Sequence, residues 1–226
     1  GELFNVLDSN HAEDALKLDP KQFMAHLVLA EIHQEDKVLT KAVQHAEKAV
    51  KASDSQSAEA LLVRARIRVR DGDMSAATDD LKRILQLEEK HARAKTLLAR
   101  LLIEANDMEQ ARFHLDGALE ADRSLAPAWF NRGLVNLRQE PHPQLGKAIE
   151  DFSQAIGLQP DLAMAYFFRG TAYYESHRFE DALKDMERAI ELQEKYASKN
   201  VRVDIASVLY IRGLCYFYLE EWESSV

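Results

Sequence analysis

The chain has 226 residues, of which 46% are hydrophobic and 30% charged, so it is not a disordered tail and can bury a sizeable core. Its formal net charge of -9 argues against a broad nucleic-acid interface, because phosphate binding needs a basic surface. Only 5 Pro and 8 Gly interrupt the chain, which favours helices over many short strands.

Cys215 is the single cysteine, so neither an intrachain disulfide nor a cysteine-based zinc site can form. No apolar stretch reaches the length of a membrane span, and the N-terminal GELFNVLDSN lacks the basic start and apolar run of a signal peptide. We therefore expect no membrane insertion and a cytoplasmic location. The first residue is not Met, so we expect a piece of a longer protein, whose upstream signal could have been removed.

A short segment recurs along the chain, with steps of 34, 35, 34, 37 and 34 residues between its anchor residues. A second small residue precedes most anchors by seven positions, and a third lies further upstream. Small residues at fixed places let two helices approach closely, so the pattern predicts repeated helix pairs. The anchors are Ala15, Ala49, Ile84, Ala118, Ala155 and Ala189; the second series is Ala42, Ala77, Ala111, Ala148 and Ala182; the third is Ala30, Ala65, Ala99, Gly133, Gly170 and Gly213.

Two segments resemble the tetratricopeptide repeat, whose pattern is an aromatic residue, a Gly or Ala four residues on, a Tyr three further, then Ala, Ala and Pro. One copy contains Trp129, Gly133, Ala148, Ala155 and Pro160; the next contains Tyr166, Gly170, Tyr173, Ala182 and Ala189. The resemblance implies an all-α fold, a right-handed superhelical solenoid of antiparallel helix pairs, over nearly the whole chain.

In chain order we predict a partial repeat at 2–22 and complete repeats at 23–57, 58–91, 92–125, 126–162 and 163–196. An insertion at 197–205 then precedes the first helix of a further repeat at 206–226. The early repeats depart from the pattern: His26, Leu61 and Lys95 replace the aromatic, and Asp54, Glu89 and Arg123 replace the Pro. The repeat 126–162 carries three extra residues in its turn EPHPQLG. Pro141 and Pro143 keep this turn from joining the helix on either side.

Three repeats place an Arg in the first helix and an Asp in the second at matching heights, which predicts a bidentate contact within each repeat. The pairs are Arg64 with Asp80, Arg132 with Asp151, and Arg169 with Asp185. Arg and Asp are also common on helix surfaces, which is the alternative explanation. Arg212 begins a fourth example, and its Asp would lie beyond Val226.

The resemblance also implies that first helices line a concave groove that binds a partner protein, peptide or helix. We expect this groove to be cationic early and aromatic late, suited to an acidic partner with apolar anchors. The alternative is that the Arg residues only solvate a face and the aromatics pack between repeats. The predicted groove residues are Arg66, Arg70, Arg93, Thr96, Arg100, Phe130, Asn131, Leu134, Arg138, Phe167, Thr171 and Tyr174, with Tyr210, Leu214 and Phe217 in the last helix.

Two subfamily resemblances are weaker. The clamp that holds the carboxylate of chaperone tails is matched only by Asn131, so we do not predict a chaperone co-factor. Residues 163–222 resemble the third and fourth repeats of the activator subunit of the phagocyte oxidase, which binds a small GTPase through repeat loops and an insertion.

We predict no enzyme activity, metal or cofactor, because no phosphate loop, zincin motif or nucleophile elbow is present. His26 and His33 lie two helical turns apart, too far for one ion, so we expect core or half-buried histidines. Cys215 is expected to pack in an apolar helix. Two other functions stay open: a self-assembly module that uses the open C-terminal end and its aromatics, including Trp222, or a regulatory arm of an enzyme whose catalytic domain lies elsewhere.

Overall fold

The computed structural model describes residues 9–35, 38–54, 56–195 and 203–224. These residues form twelve α-helices and no strand, so the prediction of an all-α fold is confirmed. The helices are α1 (Ser9–Leu18), α2 (Phe23–Glu35), α3 (Leu39–Ala52), α4 (Ala58–Asp71), α5 (Met74–Leu87), α6 (Ala92–Glu104), α7 (Met108–Ala121), α8 (Ala126–Leu137), α9 (Leu145–Leu158), α10 (Ala163–Glu175), α11 (Phe179–Lys195) and α12 (Ile205–Ser224).

Several helix starts are fixed by a polar side chain that accepts a hydrogen bond from the first turn. Ser57 caps α4 by accepting from the backbone N–H of Ala60 at 3.2 Å. Asp73 caps α5 and Asp107 caps α7 in the same way, at 3.0 and 3.1 Å. Such caps satisfy N–H groups that have no partner inside the helix. Gly72 ends α4 with a φ of 88°, a left-handed conformation that glycine adopts without strain.

The small residues of the recurring pattern lie where neighbouring helices touch. Ala42, Ala77, Ala111, Ala148 and Ala182 of the second series are all fully buried, and so are the anchors Ala49, Ile84, Ala118, Ala155 and Ala189. Larger side chains fill the remaining space; Leu29, Leu61 and Leu81 are buried in the first half of the chain, and Phe152 and Met186 in the second. Close approach at small residues therefore explains why the period of the sequence is also the period of the fold.

The chain forms two compact units, Gly1–Leu101 and Leu102–Val226. In the first unit α1 packs on α2, α2 on α3, α3 on α4 and α4 on α5. In the second unit the same neighbour-to-neighbour packing continues from α7 to α12. Within each unit these helices thus pack against their neighbours in the chain, which is the packing of a helical repeat.

Two helices lie in each of the ranges 23–57, 58–91, 92–125, 126–162 and 163–196. The long turn between α8 and α9 comprises residues 138–144. In this turn the backbone N–H of Gln144 donates to the carbonyl of Asn136 at 2.9 Å. Residues 2–8 of the predicted partial repeat and 197–202 of the predicted insertion lie outside the described residues. The exact division of the chain into repeats stays a prediction.

Candidate partner-binding surface

An arginine of one helix binds an aspartate of the next helix in three helix pairs, and we call this contact the Arg–Asp clasp. In each clasp Nε and Nη2 of the arginine donate to the two carboxylate oxygens. The distances are 2.9 and 2.5 Å for Arg64 and Asp80, 3.0 and 2.8 Å for Arg132 and Asp151, and 2.7 and 2.8 Å for Arg169 and Asp185. The sequence-predicted pairs are thus brought together, and the aspartates are only 4 to 5% exposed. They are not exposed surface pairs, so removing one partner would leave a buried charge.

The clasps also reach side chains outside the pair. Asp80 accepts a further bond from Arg68, and Asp151 accepts one from the amide of Asn136, both at 2.8 Å. Nη1 of Arg132 donates to Asp116 of α7, and Nη1 of Arg169 donates to Ser153 of α9. Burial raises the pKa of the Asp151 carboxyl, and the hydrogen bonds from Arg132 and Asn136 oppose this rise. Each clasp therefore joins the second helix of its own pair and, in two cases, the helix before it.

Helix α4 carries four arginines, two on the side that faces α5 and two on the opposite side. Arg64 and Arg68 lie one turn apart and both bind Asp80 of α5. Arg66 and Arg70 lie two positions further on, which is about 200° around the helix, and both are exposed. Nη1 of Arg66 lies 3.4 Å from Glu31 of α2, and its side chain is 49% exposed. Two of the predicted groove residues are therefore available to solvent on the side of α4 that faces away from the clasp.

Helix α6 carries three further predicted groove residues, and only two of them are exposed. Arg93 and Arg100 are exposed. Thr96 is 7% exposed, and its hydroxyl donates to the carbonyl of Ala92 within the same helix at 2.9 Å. The prediction that Thr96 faces a partner is therefore corrected, because its hydroxyl is used inside the helix.

Two predicted groove residues of α8 belong to the packed interior of the second unit. Leu134 is 8% exposed and packs with Phe152 of α9 and Ala172 of α10. Asn131 is 5% exposed. Sequence spacing placed both on the side away from α9, but burial leaves them too little surface for a partner. Phe130 is half-buried, with its ring centroid 5.8 Å from that of Phe152.

The predicted groove residues of α10 are half-buried rather than fully open. The hydroxyl of Thr171 donates to the carbonyl of Phe167 at 2.9 Å, and Phe167 packs beside Phe168. Tyr174 lies near Phe179 of α11 and Tyr218 of α12. Burial, and then the neighbouring Tyr218, raises the pKa of the Tyr174 hydroxyl. These side chains pack between helices and still offer part of their surface.

Arg138 borders an open pocket of about 420 Å³ at the end of α8. Met108 and Arg112 of α7 line the same pocket, and Arg112 donates to the side chain of Gln139 at 2.9 Å. Arg138 itself is exposed. The pocket is mixed in charge because Glu109 and Glu140 also line it.

A cluster of three histidines lies between α2 and α3, and we call it the histidine cluster. Nδ1 of His26 lies 3.1 Å from Nδ1 of His45, and the ring of His45 lies 5.3 Å from that of His26 and 5.5 Å from that of His33. Burial, and then the neighbouring His26, lowers the pKa of His45 to about 4. His26 is a core histidine, 3% exposed, as predicted. Among the described residues no three His, Cys, Asp or Glu side chains are arranged to hold a metal ion.

Cys215 is fully buried in α12, and burial raises the pKa of its thiol to about 11. A thiol in this state is protonated near neutral pH, which fits packing rather than nucleophilic chemistry. Among the described residues, no helix is both long enough and apolar enough to cross a membrane. The side chain of Trp222 lies outside the described residues.

Models of the tetratricopeptide repeat match two segments of the chain, residues 68–131 and residues 163–196. These two segments are tetratricopeptide repeats. Proteins built from these repeats are protein-interaction scaffolds and typically have no catalytic activity. Both matched segments contain a clasp or part of one, since 68–131 includes Asp80 and 163–196 includes Arg169 and Asp185.

Among curated tetratricopeptide-repeat relatives, the human mitochondrial import receptor subunit TOM70 is 25% identical over 194 residues, which cover 81% of this chain and 31% of the receptor. Bovine neutrophil cytosol factor 2 is 27% identical over 103 residues, covering 42% of this chain and 19% of that protein. The second likeness agrees with the resemblance to the phagocyte oxidase activator subunit. The chain spans about a third, or less, of the length of these relatives.

A solved tetratricopeptide-repeat structure, that of YrrB, superposes with a TM-score of 0.62 at 19% identity and covers 91% of this chain and 100% of its own. At this identity the likeness shows the fold alone. Together with the helix pairs described above, it confirms that the repeat architecture was correctly predicted.

One site of the repeat was missed in the sequence. His45 lies four residues before the anchor Ala49, and Asp80, Asp151 and Asp185 lie four residues before their own anchors. His45 therefore takes the aspartate position of the clasp. The four-residue spacing to the anchor could have identified His45. It was missed because an imidazole is chemically unlike the carboxylate found at the other positions.

Proposed function

We propose that this chain is a scaffold that binds a partner peptide or helix through exposed side chains of its first helices. The observation that carries the proposal is the division of arginines on α4. Arg64 and Arg68 are used by the clasp, whereas Arg66 and Arg70 are exposed on the opposite side. The exposure of Arg66 and Arg70 on the side away from the clasp supports a role in recognition.

The charge of this surface indicates the class of partner. Arg66, Arg70, Arg93 and Arg100 all lie within Gly1–Leu101 and are exposed, in a chain whose net charge is -9. Exposed arginines attract carboxylates and offer them two-pronged hydrogen bonds. We therefore propose an acidic peptide or helix as the partner of the first unit.

Aromatic side chains of the second unit support apolar anchoring. Phe167 and Tyr174 on α10 are half-buried, so each has a fixed conformation and a partly open surface. Aromatic side chains in this state lose little conformational freedom on binding and contribute strongly to interfaces. We propose Leu or Phe side chains as the apolar anchors that this surface of the second unit binds.

The test uses synthetic fluorescein-labelled peptides that combine Asp and Glu with a Leu or Phe anchor, and matched peptides in which Asn and Gln replace the acids. We expect fluorescence anisotropy to show saturable binding of the acidic peptides only. The double variant Arg66→Glu with Arg100→Glu should weaken this binding by about tenfold or more, which corresponds to about 1.4 kcal/mol.

A matched control reverses the same amount of charge elsewhere in the first unit. Lys82→Glu with Lys90→Glu changes two exposed residues on and just after α5 and should leave the affinity nearly unchanged. Far-UV circular dichroism checks that both variants stay helical. Equal losses in the two variants, or equal binding of acidic and amide peptides, would contradict a specific arginine surface.

We also propose a location for the protein and a non-catalytic role for this chain. The cytoplasm is the proposed location, supported by the use of a single cysteine, Cys215, as a buried packing residue. A non-catalytic role is proposed for these 226 residues, supported by the use of the polar groups described above in clasps, caps and the histidine cluster.

A further inference from the structure

The pocket bordered by Arg138 lies where the start of α7 meets the end of α8, within the second unit. Its apolar part comes from Met108, which is half-buried, and from Val135, which is 1% exposed. Its volume of about 420 Å³ falls within the range of about 300 to 1,000 Å³ that is typical of small-molecule sites. A pocket of this size can hold one small molecule.

Four charged side chains line this pocket without pairing with one another. Arg112 and Arg138 are cationic, and Glu109 and Glu140 are anionic. Within the part of the chain that the structure describes, none of these four takes part in an ion pair. The clasp arginines of the same unit, by contrast, each bind an aspartate. The pocket therefore offers two positive and two negative groups to a ligand.

Gln139 holds the least exposed of these charges in place. Its Oε1 accepts from Nη2 of Arg112 at 2.9 Å and from Nε2 of Gln144 at 2.5 Å, which occupies both lone pairs of that oxygen. Arg112 is half-buried, and this contact gives it a neutral acceptor rather than a carboxylate. Its guanidinium group therefore keeps further N–H donors for an anionic group, and the amide nitrogen of Gln139 is another donor that lines the pocket.

We propose that this pocket binds a free α-amino acid with an apolar side chain, such as leucine or methionine. Its carboxylate binds Arg112, with the amide of Gln139 as a second donor. Its ammonium group binds Glu109 or Glu140, and its side chain packs on Met108. Each feature of the ligand thus meets a group of its own kind of chemistry in the lining.

A ligand with a single charge fits the same lining less well. The two carboxylates repel a simple anion, and the two guanidinium groups repel a simple cation. An uncharged apolar molecule would take water from the charged side chains without replacing its hydrogen bonds. A peptide terminus carries only one of the two charges. The balance of charges therefore favours a small zwitterion.

The test is isothermal titration calorimetry of the full chain with L-leucine. We expect saturable binding with a Kd of about 1 mM or tighter. N-acetyl-leucine lacks the ammonium group and represents the carboxyl end of a peptide, whereas leucinamide lacks the carboxylate and represents the amino end. Each should bind about tenfold more weakly than leucine, and glycine should do the same because it has no apolar side chain.

Two arginine substitutions form a matched pair. Arg112→Gln should weaken leucine binding by about tenfold or more, because the ligand carboxylate loses a charged donor. Arg123→Gln makes the same chemical change at an exposed arginine of the second unit that does not line the pocket, and it should leave the binding unchanged.

Gln139→Glu separates loss of binding from loss of folding. The substitution keeps an oxygen that accepts from Arg112 and Gln144, and it gives Arg112 a carboxylate inside the chain. The midpoint of thermal unfolding should therefore be unchanged or higher. Leucine binding should fall by about tenfold or more, because the ligand carboxylate meets a negative charge and a guanidinium group that is already paired.

Three outcomes would overturn the proposal. One is the absence of saturable leucine binding up to about 20 mM, and another is unchanged binding in Gln139→Glu and Arg112→Gln. The third is tighter binding of N-acetyl-leucine or leucinamide than of leucine, which would assign the pocket to a peptide terminus. Arg66→Glu with Arg100→Glu should bind leucine normally, since both changes lie in the first unit, so failure here is distinguishable from failure of the arginine surface.

Discussion

The helix pair α2–α3 and the later pairs α8–α9 and α10–α11 share one repeat register but fill it with different polar groups. In the later pairs an arginine of the first helix clasps Asp151 or Asp185 in the second. In α2–α3 the aspartate position is His45, and the arginine position is the buried Leu29. The same packing thus accommodates an Arg–Asp pair in one region and a group of histidines in another.

What the regions keep in common is the loop closure at the start of the first helix. Trp129 Nε1 donates to the carbonyl of Arg123 at 2.8 Å, and the Tyr166 hydroxyl donates to that of Pro160 at 3.3 Å. Nε2 of His26 lies 3.0 Å from the carbonyl of Pro20. Each side chain reaches six residues back, so His26 performs the task of the aromatic residue it replaces. We infer that the contacts to backbone carbonyls and the small residues set the register of each helix pair. The clasp is one of several polar arrangements that this register accommodates.

The largest expected effect comes from removing the clasp carboxylate in the second unit. Asp151→Ala removes the buried carboxylate that accepts from Nε and Nη2 of Arg132 and from the amide of Asn136. We expect a loss of about 3 kcal/mol in the free energy of unfolding. Both tryptophans of the chain lie in Leu102–Val226, so urea unfolding followed by tryptophan fluorescence reports on this unit.

Asp116→Ala is the matched control, because Asp116 also binds Arg132, at 3.0 Å, but its side chain is 54% exposed. An exposed partner of this kind should contribute about 0.5 kcal/mol. Equal destabilisation by the two substitutions would show that burial of the carboxylate does not account for the contribution of the clasp to stability.

The next effect tests the close approach that the small residues permit. Gly133→Ala places a Cβ 2.6 Å from the ring of Phe152, a fully buried side chain with little room to move. We expect a net loss of about 2 kcal/mol, since overpacking exceeds the gain in helix propensity. Gly170→Ala should cost less, because its nearest neighbour is the flexible end of Met186. The same urea titration measures both, and a stabilised Gly133→Ala would contradict the packing.

These contrasts show what could be predicted from the sequence and what could not. The period of small residues predicted the helices. The recurring positions of Arg and Asp relative to these small residues predicted contacts such as Arg169 with Asp185, because both patterns depend on local helical geometry. The exposure of Leu134 was wrong, because it depends on α10, a helix of the next repeat that also packs against it. Spacing within one helix pair carries no information about that neighbour.

The histidine cluster should make the first unit sensitive to acid. The pKa of His45 is about 4 in the fold and about 6.5 ordinarily, so between these values the unfolded chain takes up a proton and the fold does not. The stabilisation is complete above pH 6.5 and is lost as the pH falls towards 4. The groups that lower the pKa by their charge are His26 and His33 of α2, together with Lys41 and Lys48 of α3 itself.

We expect this loss to reach about 1 to 2 kcal/mol, because solvent reaches part of the ring and screens the repulsion. Gly1–Leu101 has no tryptophan or tyrosine, so the measurement is hydrogen exchange of α2 and α3 at about pH 7 and about pH 5, corrected for intrinsic rates. His45→Gln should remove most of the difference, and His142→Gln, at an exposed histidine, should not. An unchanged pH response in His45→Gln would assign the sensitivity to other groups.

The smallest effect concerns the loop closure that all three regions share. Tyr166→Phe removes only the hydroxyl that donates to the carbonyl of Pro160 at 3.3 Å and keeps the ring, which also lies 5.6 Å from the guanidinium of Arg169. A long, exposed hydrogen bond of this kind is worth about 0.5 kcal/mol. Trp129→Phe removes a shorter bond and part of a ring that contacts Arg132, so it should cost more in thermal unfolding followed by circular dichroism. A larger loss of stability in Tyr166→Phe than in Trp129→Phe would mean that the ring contact with the clasp arginine governs this position, rather than the hydrogen bond to the carbonyl. His26 would then be equivalent to the aromatic residues in its packing alone.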